Sequence, residues 1–517
     1  MISSYMKSKL TKNIYRVLLI ASFLAINALI IFGISSALSY LNTGADRSSI
    51  LHLEVPMEKV YAPKVTWGSL ANPGRSMEKQ TLQEIERDYL NAWHVKNISF
   101  KDNNRFGVAD FYTDSARTRI FELIDINIKN NNSVKETTLE HFPELDFYSE
   151  DGTLVVFTDK NVERYQEFYE GDSLLFKQKD TASYQIMMLL EDGFWRVRHL
   201  QKIIPEKTEL PNVTKTFDTI LKTVKDVKGL NYYPQKNPWN TFGKKFNDTI
   251  INNDFKIIKN MGLNTIRLFI QYEDFGKSDV KLEKLNRLIK TMDLALEYDL
   301  KVMITLFDFY GDYDVANWTL TQRHAETIVT ALKNHRALLG WDIKNEPDLD
   351  FDSRGRSRVL SWLLEMNTKI RQWDPNHPIT IGWSSPEAAI NLAEELDFVS
   401  YHYYGKPKDF LSAHNKLKSI VNNKPLLLEE YGYSSYDGFW NMYRGSDKAQ
   451  IDYYKSMQRN LSNAKVPFLF WTLYDFEKVP SSVAGSLPWR TRKQHYFGCF
   501  DLEGNKKEIY HLLKQNP

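Results

Sequence analysis

The runs "LKVMITLFDF" (300–309) and "LLGWDIKN" (338–345) are two apolar stretches separated by a helical pattern over Thr321–Asn334. Their length and their aromatic and β-branched content are typical of buried strands. Neighbouring strands joined through a helix run parallel, because a tight turn can connect only antiparallel neighbours. This part of the sequence therefore predicts one βαβ unit of a parallel sheet.

The same alternation of strand and helix extends on both sides of this unit. The six further candidate strands are "VKGLNYYP" (227–234), "NTIRLFIQ" (264–271), "PITIGWS" (378–384), "LDFVSYHYY" (396–404), "KPLLLEEYG" (424–432) and "VPFLFWTLYDF" (466–476). Eight strands with helices between them predict an α/β protein with a closed (β/α)8 TIM barrel over residues 205–517. A doubly wound open sheet is the alternative, and it is disfavoured because no glycine-rich phosphate-binding motif follows the first strand.

The N-terminal region carries an apolar run, "VLLIASFLAINALIIFGISSAL" (17–38), that is long enough to cross a bilayer. Basic residues precede the run, and no charged residue interrupts it. The positive-inside rule then predicts a cytoplasmic tail at 1–16, a transmembrane anchor at 17–41 and a periplasmic or extracellular remainder. A cleaved signal peptide is the alternative, since small residues follow the run. Both interpretations place the bulk of the chain outside the cytoplasm.

The region between the anchor and the barrel divides into two parts. Residues 42–76 are polar and contain several prolines without a sustained period, so they predict a juxtamembrane linker. Residues 77–204 carry two helical patterns and then several strand-like runs, and the turn Glu191-Asp192-Gly193 predicts a hairpin. This order predicts a small α+β domain. Closing on "GFWRVRHLQKI", it resembles the cone-shaped nuclear-transport-factor-2-like (NTF2-like) domains, which implies a spacer or docking module.

The overall composition excludes several classes of function. The chain has 517 residues, 42% of them hydrophobic and 26% charged, which is typical of a globular protein with a large core. The net charge of +2 argues against a nucleic-acid partner. Cys499 is the single cysteine, so there is no intrachain disulfide and no cysteine-based zinc site. The aromatic content of 13% suits a cleft that stacks sugar rings.

Two carboxylic acids lie at the ends of predicted strands, where barrel enzymes carry their active sites. Glu346 follows the fourth strand, and Glu430 ends the seventh. These strands form nearly opposite walls of the barrel, so the two carboxyls are expected to face each other about 5 Å apart. Such a pair suits glycoside hydrolysis, in which one group protonates the departing oxygen while the other attacks the anomeric carbon or activates water.

The motifs "WDIKNEP", "SYHYY" and "PLLLEEYG" resemble those of the clan A retaining glycoside hydrolases. The resemblance is closest to family 5, the cellulase and β-mannanase family, and it spans more than half of the chain. It implies that Glu346 is the general acid/base. It implies that Glu430, the residue directly before an aromatic-glycine pair, is the nucleophile.

The same resemblance implies roles for residues around the two acids. Asn345 is expected to bind the sugar 2-hydroxyl. Arg267, His402 and Tyr404 are expected to orient the nucleophile and the sugar ring. Trp471, on the eighth strand, is expected to form the platform on which the sugar stacks.

Two further aromatic residues at strand ends, Tyr310 and Trp383, are candidates for sugar contacts, with packing in the core as the alternative. The third strand departs from the family pattern, because it ends in Asp308-Phe309-Tyr310 where many family 5 enzymes carry a histidine. The departure puts cellulase-like substrate contacts in doubt and leaves room for a mannanase-like or otherwise divergent member.

The assigned roles lead to expectations for the charge of each acid. Burial and the nearby charge of Glu430 are expected to raise the pKa of Glu346 so that it can act as an acid. Arg267 is expected to keep Glu430 ionised. Glu429 alternates with Glu430 along the strand, so its side chain is expected to point away from the barrel mouth.

The sequence thus predicts a membrane-anchored retaining β-glycoside hydrolase, endo-acting on a β-linked glucan or mannan. The expected partners are a polysaccharide or oligosaccharide substrate and, through the N-terminal helix, the membrane, with no nucleic acid and with no metal or cofactor. Exo action and transglycosylation at the same site are alternatives. A non-catalytic polysaccharide-binding protein is the rival from another class, and it is disfavoured because two opposed carboxyls repel each other when ionised.

Overall fold

The structure is a computed structural model that describes residues 19–31, 33–34, 59–203, 222–422, 424–443, 445–485 and 487–515. The predicted cytoplasmic tail lies outside these residues, and so does the first part of the predicted linker. The chain divides into two compact units, Met1–Lys59 and Val60–Pro517.

The predicted transmembrane anchor, residues 17–41, falls partly outside the described residues. Within it, residues 19–31 and 33–34 are helical. No helix in the described part of the chain combines the length and the apolar character that a membrane span needs. The structure therefore does not show the anchor, which stays a prediction.

The α+β part begins with a short strand, β1 (Lys64–Val65), which lies within the segment predicted as a linker and pairs in parallel with β2. Three helices and four long antiparallel strands follow. They are α1 (Lys79–Asp102), α2 (Val108–Phe111), α3 (Asp114–Lys129), β2 (Asn132–Tyr148), β3 (Leu154–Glu170), β4 (Ser173–Glu191) and β5 (Phe194–Ile203). An α+β fold is thus present, while the resemblance to NTF2-like domains stays a prediction.

The predicted hairpin at Glu191-Asp192-Gly193 is present between β4 and β5. Its two turn residues, Asp192 and Gly193, have φ angles of 53° and 83°. Positive φ at both central positions is the requirement of the tight turn that matches the twist of antiparallel strands, and Asp-Gly satisfies it at little steric cost.

The barrel is present, and its eight described strands close in sequence order, with the last strand pairing with the first. The strands are β6 (Lys228–Asn231), β7 (Thr265–Gln271), β8 (Lys301–Asp308), β9 (Leu338–Asn345), β10 (Ile379–Trp383), β11 (Val399–Tyr403), β12 (Leu426–Tyr431) and β13 (Phe468–Phe470). The larger helices between and after them are α4 (Asp248–Asn260), α5 (Leu282–Glu297), α6 (Trp318–Leu332), α7 (Arg356–Trp373), α8 (Pro407–Ile420) and α9 (Asp447–Ala464). The chain ends in the short helices α10 (Ser481–Ala484), α11 (Pro488–Gln494) and α12 (Glu508–Gln515).

Each barrel strand overlaps its predicted segment, and β9 has the predicted bounds. The strands are almost wholly buried because one face lines the barrel core and the other packs against helices. That double burial explains why they read as continuous apolar runs rather than as alternating ones.

The α+β part packs on the helical face of the barrel through buried charges and aromatic rings. Lys369 on α7 is 1% exposed and donates hydrogen bonds to Glu140 (2.7 Å) and Glu163 (2.5 Å). Tyr165 on β3 and Trp318 on α6 lie with ring centroids 4.3 Å apart. A buried lysine needs such partners, so these contacts tie the α+β part firmly to the barrel.

Candidate active site

Glu346 and Glu430 meet at one end of the barrel around a single histidine. Nδ1 of His402, on β11, donates a hydrogen bond of 2.8 Å to Oε1 of Glu346 and lies 3.8 Å from Oε2 of Glu430. Because both oxygens lie near the same nitrogen, Oε1 of Glu346 and Oε2 of Glu430 cannot be farther apart than these two distances added together. A double-displacement glycosidase needs its carboxyl groups about 5–5.5 Å apart, and a wider gap of about 6.5–9.5 Å leaves room for a water.

The backbone at Glu346 is held in an unusual conformation. Glu346 is the first residue beyond β9, and it has φ 46° and ψ 51°, in the left-handed region. Its N–H donates a hydrogen bond of 2.6 Å to the carbonyl oxygen of Gly382 on β10. A non-glycine residue in this region costs free energy and is concentrated at functional sites. The conformation turns the Glu346 side chain into the barrel mouth.

Glu430 is held by two further donors. The hydroxyl of Tyr404 donates a short hydrogen bond to its Oε1, and Nη1 of Arg267 donates one of 3.4 Å to its Oε2. Both donors favour the ionised form of a carboxylate. The structure thus brings Arg267, His402 and Tyr404 to the predicted nucleophile.

Arg267 is fully buried and is itself fixed by a ring of acceptors. Its Nη2 donates to Asp342 (2.6 Å) and to Oδ1 of Asn345 (2.9 Å), its Nε donates to Thr305 (2.9 Å), and its Nη1 donates to Asn231 (3.1 Å). These bonds leave the guanidinium one orientation. The contact to Asn345 occupies the amide oxygen, so the amide nitrogen is the group that could contact a sugar hydroxyl.

Glu429 does not point away from this cluster, and that expectation was wrong. It is fully buried, with Oε1 3.6 Å from Nε of Arg267 and Oε2 3.9 Å from Nε2 of His402. The strand pairing shifts between Tyr401 and His402, so that one residue of β12 is extra at Glu429. A β-bulge interrupts the alternation of side chains. Two successive glutamates can therefore contact the same arginine.

A glycine on β10 makes room for this packing. A Cβ atom at Gly382 would lie 2.6 Å from Nη2 of Arg267 and 2.7 Å from Oε2 of Glu429. Neither atom could move away freely, because both belong to the buried charge cluster. Only glycine fits at this position.

The pKa values of the two central acids are ordered opposite to the expectation. Burial acts to raise the pKa of Glu346, but the hydrogen bond from His402 and the charges of His402, Arg267 and Lys344 outweigh it and lower the pKa. Burial raises the pKa of Glu430, with Glu346 adding to the rise against His402 and Arg267. The expectation was wrong because His402 donates its hydrogen bond to Glu346 rather than to Glu430.

His402 and Glu429 also have displaced pKa values. Burial acts to lower the pKa of His402, but the charge of Glu430 and the hydrogen bond to Glu346 outweigh it and raise the pKa. Burial raises the pKa of Glu429 to about 8 despite the nearby Arg267. Burial and the neighbouring charges therefore favour the protonated forms of His402 and of Glu429, which lie 3.9 Å apart.

A cavity of about 390 Å³, the catalytic cavity, opens above the acids. Glu346, Glu430, Asn345, Tyr310 and Trp471 all line it. Trp471 supports the cavity wall together with the indole of Trp239, whose ring is stacked with it at 17° and 6.1 Å between centroids. Aromatic walls of this kind suit the apolar faces of sugar rings.

Trp383 does not reach the catalytic cavity, and the structure differs there from the expectation. Its side chain is fully buried and packs near Phe351, with ring centroids 6.3 Å apart. Because Gly382 faces the charge cluster inside the barrel, the alternation of the strand turns Trp383 outward toward the helices. The core-packing alternative describes its position.

Asp308 and Tyr233 form a polar contact in the cavity wall that the sequence did not assign. The hydroxyl of Tyr233 donates a hydrogen bond of 2.9 Å to Oδ2 of Asp308. Burial raises the pKa of Asp308 to about 7, against the hydrogen bond from Tyr233 and the charges of Lys344 and Arg267. Asp308 stands where many family 5 enzymes carry a histidine. That departure from the family pattern was the feature of the sequence that could have marked Asp308 as a site residue.

Other members of the cluster were also missed by sequence reasoning. Asp342 and Asn231 fix Arg267, and Lys344 lines the catalytic cavity. The signal for Asp342 was a carboxylate in the middle of an otherwise apolar buried strand, since a buried charge needs a partner. Asn231 gave a similar but weaker signal.

Known proteins give matches across the barrel. Residues 225–477 match the Cellulase family, glycosyl hydrolase family 5. The chain is 28% identical over 253 residues to mannan endo-1,4-beta-mannosidase 1 of Oryza sativa subsp. japonica, covering 35% of this chain and 57% of that protein. It is 24% identical over 225 residues to mannan endo-1,4-beta-mannosidase 5 of Solanum lycopersicum, covering 35% and 50%. The chain thus spans about half the length of these curated relatives.

Solved structures also align with this part of the chain. One is the exo-beta-1,4-mannosidase Op5Man5 from Opitutaceae bacterium strain TAV5, with 20% identity, a TM-score of 0.46, and coverage of 56% of this chain and 58% of that one. The family match spans the eight barrel strands, and Glu346 and Glu430 lie within it. The barrel of this chain therefore matches glycosyl hydrolase family 5, and this match supports a clan A glycoside hydrolase.

Proposed function

We propose that the protein hydrolyses β-linked polysaccharides with retention of configuration at the anomeric carbon. The observation that carries this proposal is that one ring nitrogen of His402, Nδ1, lies 2.8 Å from Glu346 and 3.8 Å from Glu430. Two acids held this close around one imidazole can act on the same glycosidic bond, one as the nucleophile and the other as the acid/base, as double displacement requires.

In the first step Glu430 attacks the anomeric carbon while Glu346 protonates the departing oxygen. The O–H of Tyr404 and the guanidinium of Arg267 hold the Glu430 oxygens for the attack. The proton on Glu346 comes from His402, which is the more basic partner of their hydrogen bond. A sugar that fills the cavity displaces water and makes the charge-separated pair less stable, so the proton moves toward Glu346.

In the second step water replaces the departed group. Glu346, now ionised, removes a proton from the water, which attacks the sugar carbon and releases Glu430. His402 takes up the excess proton again as the sugar leaves. Each group therefore returns to its starting charge after one cycle.

The substrate we propose is a β-1,4-linked mannan, cleaved internally. The proposal is supported by several of the curated relatives, among them three that are named mannan endo-1,4-beta-mannosidases. It is also supported by Asp308 at the end of the third strand, where the family pattern of cellulase-like members is broken and Tyr233, beyond the first strand, donates a hydrogen bond to the carboxylate. A β-glucan is the alternative substrate. Exo action and transglycosylation are alternative uses of the same covalent intermediate.

The central test is Glu430→Ala on soluble mannan and β-glucan, with released reducing ends as the readout. We expect turnover to fall by about 10⁴-fold or more, the scale seen when a covalent nucleophile is removed. External azide should restore part of the lost turnover in Glu430→Ala, because azide can attack the anomeric carbon in place of the missing carboxylate. Unchanged turnover of Glu430→Ala contradicts the assignment of the nucleophile.

Two readouts separate the alternatives. The anomeric configuration of the first product, followed by NMR, distinguishes retention from inversion. The product sizes distinguish endo cleavage, which gives mixed oligosaccharides early, from exo cleavage, which gives one small product throughout. Elongated products at high substrate concentration indicate transglycosylation.

We also propose that the N-terminal region anchors the protein in a membrane and that the barrel lies outside the cytoplasm. The apolar, uncharged run at 17–38 and the basic residues before it support this proposal. Protease treatment of intact cells or spheroplasts is the test. Degradation of the barrel without lysis is expected, and a barrel protected until lysis contradicts the proposed orientation.

A further inference from the structure

A second cavity of about 590 Å³, the adjoining cavity, lies beside the catalytic one. Val483 and Gln494 line both cavities, so the two share a wall. Tyr404 connects them chemically, because its ring lines the adjoining cavity while its hydroxyl donates to Glu430. A sugar chain that passes Glu430 therefore has a second space of suitable size next to it.

The two cavities differ in their charged groups. The catalytic cavity is lined by four carboxylic acids and two basic side chains, Lys344 and Arg354. Of the described residues that line the adjoining cavity, none is acidic, and two are basic, Arg490 and Lys493. Neither of these two has an ion-pair partner within the described part of the chain. A pair of cations without counter-charge at a cavity wall favours an anion inside it.

The adjoining cavity also offers an aromatic surface. Trp489 lines it and is 47% exposed, and Trp440 lies beside Trp489 with ring centroids 6.1 Å apart. Large exposed aromatic side chains at a cavity wall are typical of a surface that binds a ligand. An indole face suits a sugar ring, and the cations beside it suit a charged substituent on that ring.

From these observations we propose that the adjoining cavity is a subsite for a sugar that bears an anionic group, either a carboxylate or a sulfate ester. This inference rests on the proposed glycosidase function and adds a substrate class to it. The charged sugar occupies the unit next to the cleaved bond rather than the reacting unit, because the acids of the catalytic cavity repel an anion. Arg490 and Lys493 contact the anionic group, and Trp489 contacts the ring.

The test compares three β-1,4-linked oligosaccharides: one neutral, one with a uronic acid unit and one with a sulfate ester. The readout is the ratio of kcat/KM for each anionic substrate to that for the neutral one. The natural protein is expected to prefer at least one anionic substrate, and which one it prefers identifies the group. In the double variant Arg490→Gln/Lys493→Gln this ratio should fall by about 10- to 100-fold, as expected for the loss of hydrogen bonds to a charged group.

The matched control is Arg492→Gln. Arg492 lies on the same helix, α11, and is exposed, but it does not line the adjoining cavity. It should leave the ratio unchanged, which excludes a general effect of net charge. A natural protein that shows no preference for either anionic substrate overturns the proposal. So does a double variant that keeps the preference.

Binding measured by calorimetry separates this proposal from the proposed function, since binding needs no turnover. Tighter binding of an anionic oligosaccharide than of the neutral one, lost in the double variant, supports the subsite even where no hydrolysis is detected. Equal Kd values for all three ligands overturn it, even where hydrolysis is rapid. Added salt should weaken only the binding of the anionic ligands.

Discussion

Nδ1 of His402 donates a hydrogen bond of 2.8 Å to Oε1 of Glu346, while the same nitrogen lies 3.8 Å from Oε2 of Glu430. One cation thus acts on both central acids, and its charge holds the pKa of each lower than burial alone would set it. The pH dependence of activity therefore belongs to the three groups together.

The first prediction concerns His402→Gln, which removes this cation and keeps a hydrogen-bonding side chain. The pKa of Glu430 should rise, so the acidic limb of the pH profile of kcat/KM, which reports ionisation of the nucleophile, should move to higher pH by about one unit or more. The profile is measured on a soluble substrate over a wide pH range. His414→Gln, at a buried histidine on α8, controls for loosening of the barrel. An unmoved profile in His402→Gln contradicts the shared titration.

The second prediction concerns the buried carboxyl of Glu429. Its pKa rises from 4.5 to about 8 on folding, so the folded protein keeps a proton that the unfolded chain has released in this pH window. Stability then falls as pH rises between about 4.5 and 8, by about 1.4 kcal/mol per pH unit from this group alone. Glu429→Gln cannot ionise and should lose this slope.

The measurement for Glu429→Gln is the free energy of unfolding by urea at several pH values. The variant should gain stability relative to the natural protein as pH rises toward 8. Glu394→Gln, at an exposed carboxylate, is the matched control and should follow the natural protein. A constant difference between Glu429→Gln and the natural protein across this range would show that Glu429 stays ionised beside Arg267.

The third prediction concerns Asp308, whose pKa is raised to about 7 by burial. Below this pH the protonated carboxyl can donate to a sugar hydroxyl, and above it the carboxylate can only accept. KM should therefore change with an apparent pKa near 7, and Asp308→Asn should remove that dependence. KM profiles measured from pH 5 to 9 check this, and a midpoint near 7 that persists in the variant contradicts it.

The fourth prediction concerns Lys369, the 1% exposed lysine between Glu140 and Glu163. Lys369→Met removes the ion-pair partner of Glu140 at the contact between the α+β part and the barrel, while Glu163 keeps Lys179 at 2.8 Å. We expect a loss of about 3 kcal/mol in the free energy of unfolding, the lower end of the range for a broken buried ion pair. The paired control is Lys160→Met, because Lys160 and Glu144 form a bond of 2.5 Å but are 49% and 41% exposed. That control should cost about 1 kcal/mol or less.

Much of the barrel could be predicted from local pattern. A strand buried on both faces must be apolar along its whole length, and a crossover helix must separate it from the next. For this reason β9 appears with its predicted bounds, and Glu346 and Glu430 can be assigned to the ends of the fourth and seventh strands. The eighth strand is shorter than its apolar run, because the following residues turn inward to line the cavity and the core.

Side-chain direction was predicted less well, because it depends on register between strands. The bulge in β12 turns Glu429 toward Arg267, and no local property of "PLLLEEYG" marks it. The same dependence explains Trp383, which faces the helices because Gly382 beside it faces the charge cluster. Alternation predicts direction only where the pairing is regular.

The amino-acid sequence alone was enough to predict the barrel, the two acids at its mouth and the aromatic and basic residues around them, because strand periodicity and strand order are local properties. The relative pKa values of Glu346, Glu430 and His402 depend on distances of a few ångströms between residues that lie up to 84 positions apart in the chain. The different charged groups that line the two cavities likewise depend on which loops share a wall. Electrostatic energy varies with distance and burial, and only the folded chain defines either.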